Sequence, residues 1–291
     1  MERRKFIEVM GRGLVTGSLL NISTAMAQVS SIANKELSMN SVNSVSTGKS
    51  RIFITGSSDG LGLAAATSLL EQGHDVVVHV RTKARLSAVK TLLDKGAVAT
   101  IGDLSDTAQI RVLAQQVNAI GKMDAVIHNA GIISGTALLV VNVVAPYMLT
   151  SLIERPQRII YLSSSMHSGG SENLNGLDWT GHTSTASYSD SKLFVTTLAI
   201  AVARLWPEVY SNAVDPGWVP TKMGGANAPD DLTLGHVTQE WLATSHDPAA
   251  LTSGNYWYHQ QKKQPNPAVK NIDFQNNLLA QLAHATGIQL V

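Results

Sequence analysis

Apolar and polar positions alternate in blocks along most of the chain, and the blocks change character as they go. From Ile52 to Ile54 the residues are uninterruptedly apolar and either β-branched or aromatic, which predicts a short strand buried on both faces. An alanine- and leucine-rich stretch from Leu61 to Gln72 follows at once and predicts a helix. The exchange then repeats. Asp75-Val-Val-Val-His-Val80 predicts a second strand, Ser87 to Leu93 a helix, Ala97 to Ile101 a third strand, Thr107 to Ala119 an amphipathic helix and Asp124 to His128 a fourth strand. Beyond these, Arg158 to Ser165 predicts a fifth strand, and Tyr188 to Leu205 a long helix that stops before Pro207. Ser211 to Val214 and Gly254 to Tyr258 predict the sixth and seventh strands. Asp273 to His284 predicts a closing helix, whose Phe274, Leu278, Leu279 and Leu282 serve as core contacts. Strands alternating with helices imply a parallel sheet covered on both faces, hence an α/β, doubly wound fold.

The start of the chain departs from this pattern. Met1-Glu-Arg-Arg-Lys-Phe-Ile-Glu8 leads into the mildly apolar Gly13 to Ala25 and then Ala25-Met-Ala27. A basic head with paired Arg3 and Arg4, a weak apolar middle and a small-x-small site together look like a twin-arginine export signal over residues 1–27. An amphipathic or disordered tail is the other reading. Thr16, Ser18, Asn21, Ser23 and Thr24 interrupt the apolar run, which is too short to span a membrane, so no stable membrane insertion is expected. Residues 28–48, rich in Ser, Asn and Val without a sustained period, read as a linker, and residues 49–291 as a single domain. An exported protein would be periplasmic, with the cytoplasm as the alternative.

The chemistry concentrates where strands give way to turns. In Arg51-Ile-Phe-Ile-Thr-Gly-Ser-Ser-Asp-Gly-Leu-Gly62 the glycines Gly56, Gly60 and Gly62 permit a tight turn and a close approach of backbone to a pyrophosphate. The helix that follows aims unpaired N–H groups at the same place, with Ser58 and Leu61 between the glycines. The second strand ends in Val80-Arg81 with no acid between Val76 and Arg81, so this end suits a ribose 2′-phosphate better than a free 2′-hydroxyl and favours NADP over NAD. Tyr188 and Lys192 stand four apart on a predicted helix and can face one cleft, where an ammonium would lower the pKa of a phenol. Charged residues make up only 15% of the chain and the net charge is +1, which leaves no electrostatic footprint for nucleic acid. There are no cysteines for disulfide or thiol chemistry, and the nine histidines fall in no metal-binding arrangement.

Thr55-Gly-Ser-Ser-Asp-Gly-Leu-Gly62, Asp103-Leu104 after the third strand, Asn129-Ala130-Gly131 after the fourth and Tyr188-Ser-Asp-Ser-Lys192, in this order and spacing, resemble the short-chain dehydrogenase/reductase family, in its NADP-preferring carbonyl reductase or retinol dehydrogenase-like branch. The resemblance runs from about Lys49 to the C-terminus. It implies a Rossmann-type sheet of strand order 3-2-1-4-5-6-7. Tyr188 would donate the proton to a carbonyl oxygen, with Lys192 holding the nicotinamide ribose. Ser164 would bond the substrate oxygen, with Ser165 as fallback and Ser163 structural or cofactor-facing. Asn142 matches the family's fourth catalytic residue, although the stretch from Gly131 to Asn142 is shorter than relatives carry. That trimming bears on the reach of Asn142 and on the helix pair through which many relatives form homo-oligomers. Asp215-Pro216-Gly217-Trp-Val219-Pro-Thr221 matches the turn that meets the nicotinamide carboxamide.

Between Ser165 and Tyr188 lies a long polar insert, in which Trp179 either covers substrate or anchors the loop. His167 reads as a structural or solvent-facing histidine, and Lys222 to Leu234 as a substrate lid. The implied activity is NADP-dependent hydride transfer to or from a small-molecule carbonyl or alcohol. Two other readings stay open: an NADP-binding sensor or scaffold with little turnover, and a redox-neutral epimerase or dehydratase.

Overall fold

The computed structural model describes residues 48–291; the export-signal reading of residues 1–27, and the linker apart from its last residue, lie outside them. Seven strands run parallel: β1 (Arg51–Ile54), β2 (Asp75–Val80), β3 (Val98–Ile101), β4 (Ala125–His128), β5 (Arg158–Leu162), β6 (Tyr210–Asp215) and β7 (Tyr256–Tyr258). An eighth, β8 (Gln261–Lys263), returns antiparallel along β7, giving the order β3-β2-β1-β4-β5-β6-β7-β8. The expected order of the first seven is the observed one. In the register Phe53 lies beside Val77 on one side and Val126 on the other, so the apolar run of β1 is central and doubly covered.

Among the described residues, seven helices flank the sheet: α1 (Gly60–Glu71), α2 (Lys90–Asp94), α3 (Thr107–Ile120), α4 (Ala145–Leu152), α5 (Tyr188–Leu205), α6 (Leu232–Thr244) and α7 (Ile272–Thr286). Because side chains alternate along a strand, Ile52, Ile54, Val76 and Val78 pack with Ala65, Ala66 and Leu69 of α1 and Leu242 of α6 on one face. Phe53, Val77 and Val126 pack with α3, α4 and α5 on the other. The helices start where short polar side chains can cap them. Asp106 accepts from the N–H groups of Ala108 and Gln109, Asp231 from Thr233 and Leu234, and Ser187 and Asp190 form a reciprocal capping box at α5.

Several segments differ from the sequence expectation. The helix expected over Ser87 to Leu93 is a 3₁₀ helix, Lys83–Val89, running into the one-turn α2; only Val89 and Leu92 of this stretch are fully buried, with Leu93 packed partly against the core. β5 ends at Leu162 rather than Ser165: Ser163 Oγ bonds Thr196 Oγ1 at 2.6 Å, and Ser164 caps a 3₁₀ turn over Ser165–Gly169. β7 begins at Tyr256, since Gly254 has φ +74° and Asn255 is tied to Asn212 and Thr252.

α5 is enclosed on nearly every side, with Leu193 to Ala199 all buried. Part of its cover is α7, whose Phe274 ring lies tilted 6.1 Å from Phe194; part is the insert, whose Trp179 lies 5.9 Å from Phe194. α4 is buried from Ala145 to Thr150, and Tyr147 Oη donates to the Ile288 carbonyl at 2.7 Å. The helix pair that the resemblance links to oligomer contacts is thus covered within one chain. Trp179 is the anchor of the insert: it is 7% exposed and its Nε1 donates to Gln281 Oε1 at 2.9 Å. Trp179→Ala is expected to cost about 3–5 kcal/mol in denaturant unfolding, the range for deleting a buried aromatic. A raised KM at unchanged stability would assign Trp179 to the substrate instead.

Candidate active site

The site opens at the carboxyl ends of the strands, where β1 and β4 lie side by side and their crossovers depart in opposite directions. Gly56 has φ +69°, and a Cβ there would sit 3.0 Å from the Ala130 Cα. A Cβ at Gly62 would lie 2.4 Å from Asn129 Nδ2 and 2.5 Å from the Gly56 carbonyl, so only glycine lets α1 close on the turn. Asn129 Nδ2 donates to the Thr55 carbonyl at 2.9 Å, and Thr55 Oγ1 accepts from the Ala130 N–H at 3.0 Å. The glycine turn and the Asn-Ala-Gly run are therefore a single built unit.

A cleft of about 430 Å³ extends over this unit, within the range of small-ligand sites. Of the residues expected to hold a cofactor, Gly56, Ser58, Gly60, Leu61, Arg81, Asp103, Leu104, Asn129, Ala130, Gly131, Tyr188, Lys192, Pro216 and Thr221 line it. Gly62, Gly217 and Val219 do not, and stand behind its wall. Gly217 has φ +81° and closes against Asp230, while the Val219 carbonyl accepts from the Thr221 N–H at 2.8 Å, leaving neither toward the cleft.

Further residues at the cleft were not singled out in the sequence. His79, Ser105, Lys222 and Met223 line it, as do the apolar Ile132, Ala137, Val141 and Leu162. Arg85 reaches Ser58 Oγ at 3.4 Å and Asp59 at 3.9 Å, and Lys222 pairs with Asp59. That pairing with Lys222, more than any other contact, holds the Asp59 carboxyl below the usual carboxylate range, so the acid at the tip of the turn is matched by two cations. Arg81 is 72% exposed in its side chain, and its Nε lies 3.9 Å from Asp103.

At the other end of the cleft Tyr188 is the first residue of α5 and Lys192 follows one turn later, its Nζ 5.5 Å from the Tyr188 ring centre. Lys192 is buried and donates from Nζ to the Leu162 carbonyl at 2.8 Å. Burial pushes its pKa down to about 8, against the opposing pull of the Asp215 carboxylate. The Tyr188 phenol is pushed up to about 12 by burial, with a hydrogen bond from Ser164 working the other way and the Asp215 charge adding to the rise. This is the reverse of the lowering expected from a nearby ammonium: desolvation of the phenolate is the larger effect, and the Lys192 ammonium is turned to a carbonyl.

Ser164 is the serine that acts on the Tyr188 phenol, while Ser163 is the one that lines the cleft; Ser165 is exposed. Asn142 sits in a π turn, Val140–Val144, in the helix leading to α4. Its Oδ1 accepts from the Ile132 N–H at 2.9 Å, and its Nδ2 donates to the Ile132 carbonyl at 2.9 Å and to Ser191 Oγ at 3.0 Å. A Cβ at Gly131 would be 3.4 Å from Asn142 Oδ1 and 3.5 Å from Lys192 Nζ. The short connection thus still brings Asn142 to the site, where its side chain braces the loop and does not line the cleft.

Beneath these groups lies a buried polar layer. Asp215 accepts from the Gly217 N–H and from Tyr256 Oη, both at 3.0 Å. The Tyr256 ring stacks 4.5 Å from His167. His167 accepts from the Asn266 N–H at Nε2, 3.0 Å, and so donates from Nδ1 to the Ser164 carbonyl at 2.7 Å. It is 1% exposed and structural.

The short chain dehydrogenase pattern matches residues 50–165. An uncharacterized oxidoreductase of Emericella nidulans is 38% identical over 253 residues, spanning 82% of this chain and 97% of its own. The short-chain dehydrogenase chyC of Penicillium rubens is 36% identical over 254 residues, spanning 82% and 98%. Among solved structures, a blue fluorescent protein from a metagenomic library, in complex with NADPH, superposes with a TM-score of 0.59 at 22% identity over 72% of this chain and 96% of its own.

Proposed function

The chain belongs to the short-chain dehydrogenase/reductase family of oxidoreductases, and from that premise we propose that it transfers hydride between NADP and a carbonyl or alcohol substrate, with Tyr188 as proton donor and acceptor. The observation that carries this reading is that Tyr188 and Lys192 line one end of a cleft, with Ser163 in its wall and Ser164 next in the chain, and that the other end is a glycine turn with basic residues at its mouth.

The residues suit the cofactor. Gly56 and Gly62 let the turn close tightly on Ala130 and Asn129, which holds the turn and the start of α1 at the cleft, and the buried Asn129 Oδ1 is an acceptor with no partner. Ser58, Arg81 and Arg85 form a donor set suited to a 2′-phosphate. Asp103 and Leu104 would flank the adenine, the N-terminus of α1 the pyrophosphate, and Lys192, Pro216 and Thr221 the nicotinamide riboside. Bound there, the nicotinamide ring supplies or accepts the hydride.

The chain's own groups handle the proton and the charge. The Ser164 hydroxyl donates to the substrate oxygen, where negative charge develops on reduction. Tyr188 gives its phenolic proton to that oxygen; with its pKa raised by burial the phenol is fully protonated at neutral pH, and it is a correspondingly weaker acid until the phenolate is stabilised. Lys192, one turn away and 5.5 Å from the ring centre, would stabilise the phenolate left behind once its ammonium turns from the Leu162 carbonyl. Asn142 holds the Gly131-Ile132 segment against α5. Met223 Sδ lies 4.0 Å from Tyr188 Oη, and Ile132, Ala137 and Val141 line this part of the cleft, so the substrate carries an apolar group beside its carbonyl. NADPH oxidation with apolar aldehydes and ketones, compared with NADH, tests the reading.

The Asp215 charge raises the pKa of both Tyr188 and Lys192. Asp215→Asn is therefore expected to shift the alkaline limb of kcat/KM for reduction, which needs the protonated phenol, to lower pH. An unmoved limb would remove Asp215 from the electrostatics of the site.

A further inference from the structure

The adenosine half of the cleft is held by a residue with no place in the proton chemistry. We infer that His79 is a positioning residue that ties the phosphate turn to the loop carrying the adenine wall, and that it does so only as a neutral imidazole, so that cofactor affinity falls when the ring takes up a proton. The inference rests on the reading of the cleft as a dinucleotide site.

His79 lies on β2, on the same face as Val77, and is 3% exposed in a strand whose other residues after Asp75 are all valine. Its Nδ1 accepts from the Gly56 N–H at 3.0 Å. Its Nε2 lies 2.7 Å from the Gly102 carbonyl, which can only accept, so Nε2 carries the proton. The backbone reinforces the link: the His79 N–H donates to Ser57 Oγ at 3.0 Å, and the Ser57 N–H donates to the His79 carbonyl at 3.2 Å. Gly56 is the glycine of positive φ that starts the turn, and Gly102 immediately precedes Asp103 and Leu104. One ring therefore sets the separation of the two walls between which an adenosine would sit.

A single tautomer serves both contacts. In the doubly protonated ring Nδ1–H would meet the Gly56 N–H, donor against donor, and the start of the turn would have to move. The charged groups around it are Asp103 on the loop before α3, Arg81 just past the end of its own strand, and Asp59, Arg85 and Lys222 at the rim of the turn; His128, on β4 beyond β1, is held neutral by burial. Burial outweighs the favourable pull of the Gly102 carbonyl and of Asp103, so the ring stays neutral at physiological pH and protonates below the ordinary 6.5.

The test is the Kd of NADPH and of NADH, measured by fluorescence titration from about pH 8 to pH 5 on wild type, His79→Gln and His79→Leu, each checked for fold by circular dichroism. The glutamine amide can accept from Gly56 and donate to Gly102 without titrating. The 2′-phosphate itself titrates near pH 6, so the NADH series and the difference between proteins isolate the ring. In wild type the Kd is expected to rise by up to about tenfold for each pH unit below the His79 pKa. The His79→Gln variant is expected to bind within a few-fold of wild type at neutral pH and to show a flatter acid limb. The His79→Leu variant is expected to bind about tenfold more weakly at every pH, with kcat at saturating cofactor retained and the KM for cofactor raised. Coincident acid limbs in wild type and His79→Gln, or wild-type affinity in His79→Leu, overturn the inference while leaving the cofactor site standing. Failure of wild type to bind either dinucleotide at any pH overturns the cofactor site and the inference together.

Discussion

Replacing Tyr188 by phenylalanine is expected to lower kcat for carbonyl reduction by about 10²–10⁴-fold, the range for loss of a positioned acid, while leaving the Kd for NADPH within a few-fold of wild type. The phenylalanine ring keeps the packing of the first turn of α5, where Tyr188 is half-buried and Lys192 lies 5.5 Å from the ring centre. What it removes is the hydroxyl that Ser164 contacts and that lies 4.0 Å from Met223 Sδ. The loss should therefore fall on kcat, which needs the proton, and not on the cofactor site at the other end of the cleft. Single-turnover reduction measured beside equilibrium binding separates the two. A variant that keeps turnover would assign the proton to another donor.

The second large effect is expected at the mouth. The double variant Arg81→Ala, Arg85→Ala should lose about 10²-fold or more of the preference for NADPH over NADH in kcat/KM, since each charge-assisted hydrogen bond to a phosphate contributes roughly 1.5–3 kcal/mol. Arg81 is free to turn because Asp103 holds it only at 3.9 Å, and Arg85 already stands by Ser58. The rate with NADH should change little, because a free 2′-hydroxyl offers a guanidinium little to bind. Arg81→Ala alone separates the two roles: an unchanged preference would make Arg81 a surface residue and give Arg85 the phosphate.

Much of this arrangement is legible in the sequence because each part leaves a local mark. Strands buried on both faces read as unbroken apolar runs, and the order of β1 to β7 follows from the strand and helix alternation together with the resemblance. β8 left no such mark. The turn that produces it, Tyr258-His-Gln-Gln261, has φ +47° at His259 and +60° at Gln260, where glycine or asparagine would have announced a two-residue hairpin. The glycine turn, the Asn-Ala-Gly run and the Tyr188–Lys192 pair were visible as short motifs. Whether a residue in such a motif faces the cleft or supports its wall was not: Gly62 and Asn142 were singled out, and both hold neighbouring segments in place. His79 was read as one more position in an apolar strand, because its two hydrogen bonds go to residues 23 positions away on either side. The direction of the Tyr188 shift was hidden for a related reason. A motif names the cation beside the phenol, but how fully both are buried depends on the whole fold.

The most direct measurement is NADPH oxidation, followed by absorbance, with a panel of apolar aldehydes and ketones, in parallel with NADH and with chromatographic detection of the alcohol. The expected result is stoichiometric alcohol formation with at least one carbonyl, faster with NADPH than with NADH and lost in Tyr188→Phe. Tight NADPH binding with no alcohol formed from any carbonyl, or turnover unaffected by Tyr188→Phe, would contradict the assignment of this site as a carbonyl reductase with Tyr188 as its acid.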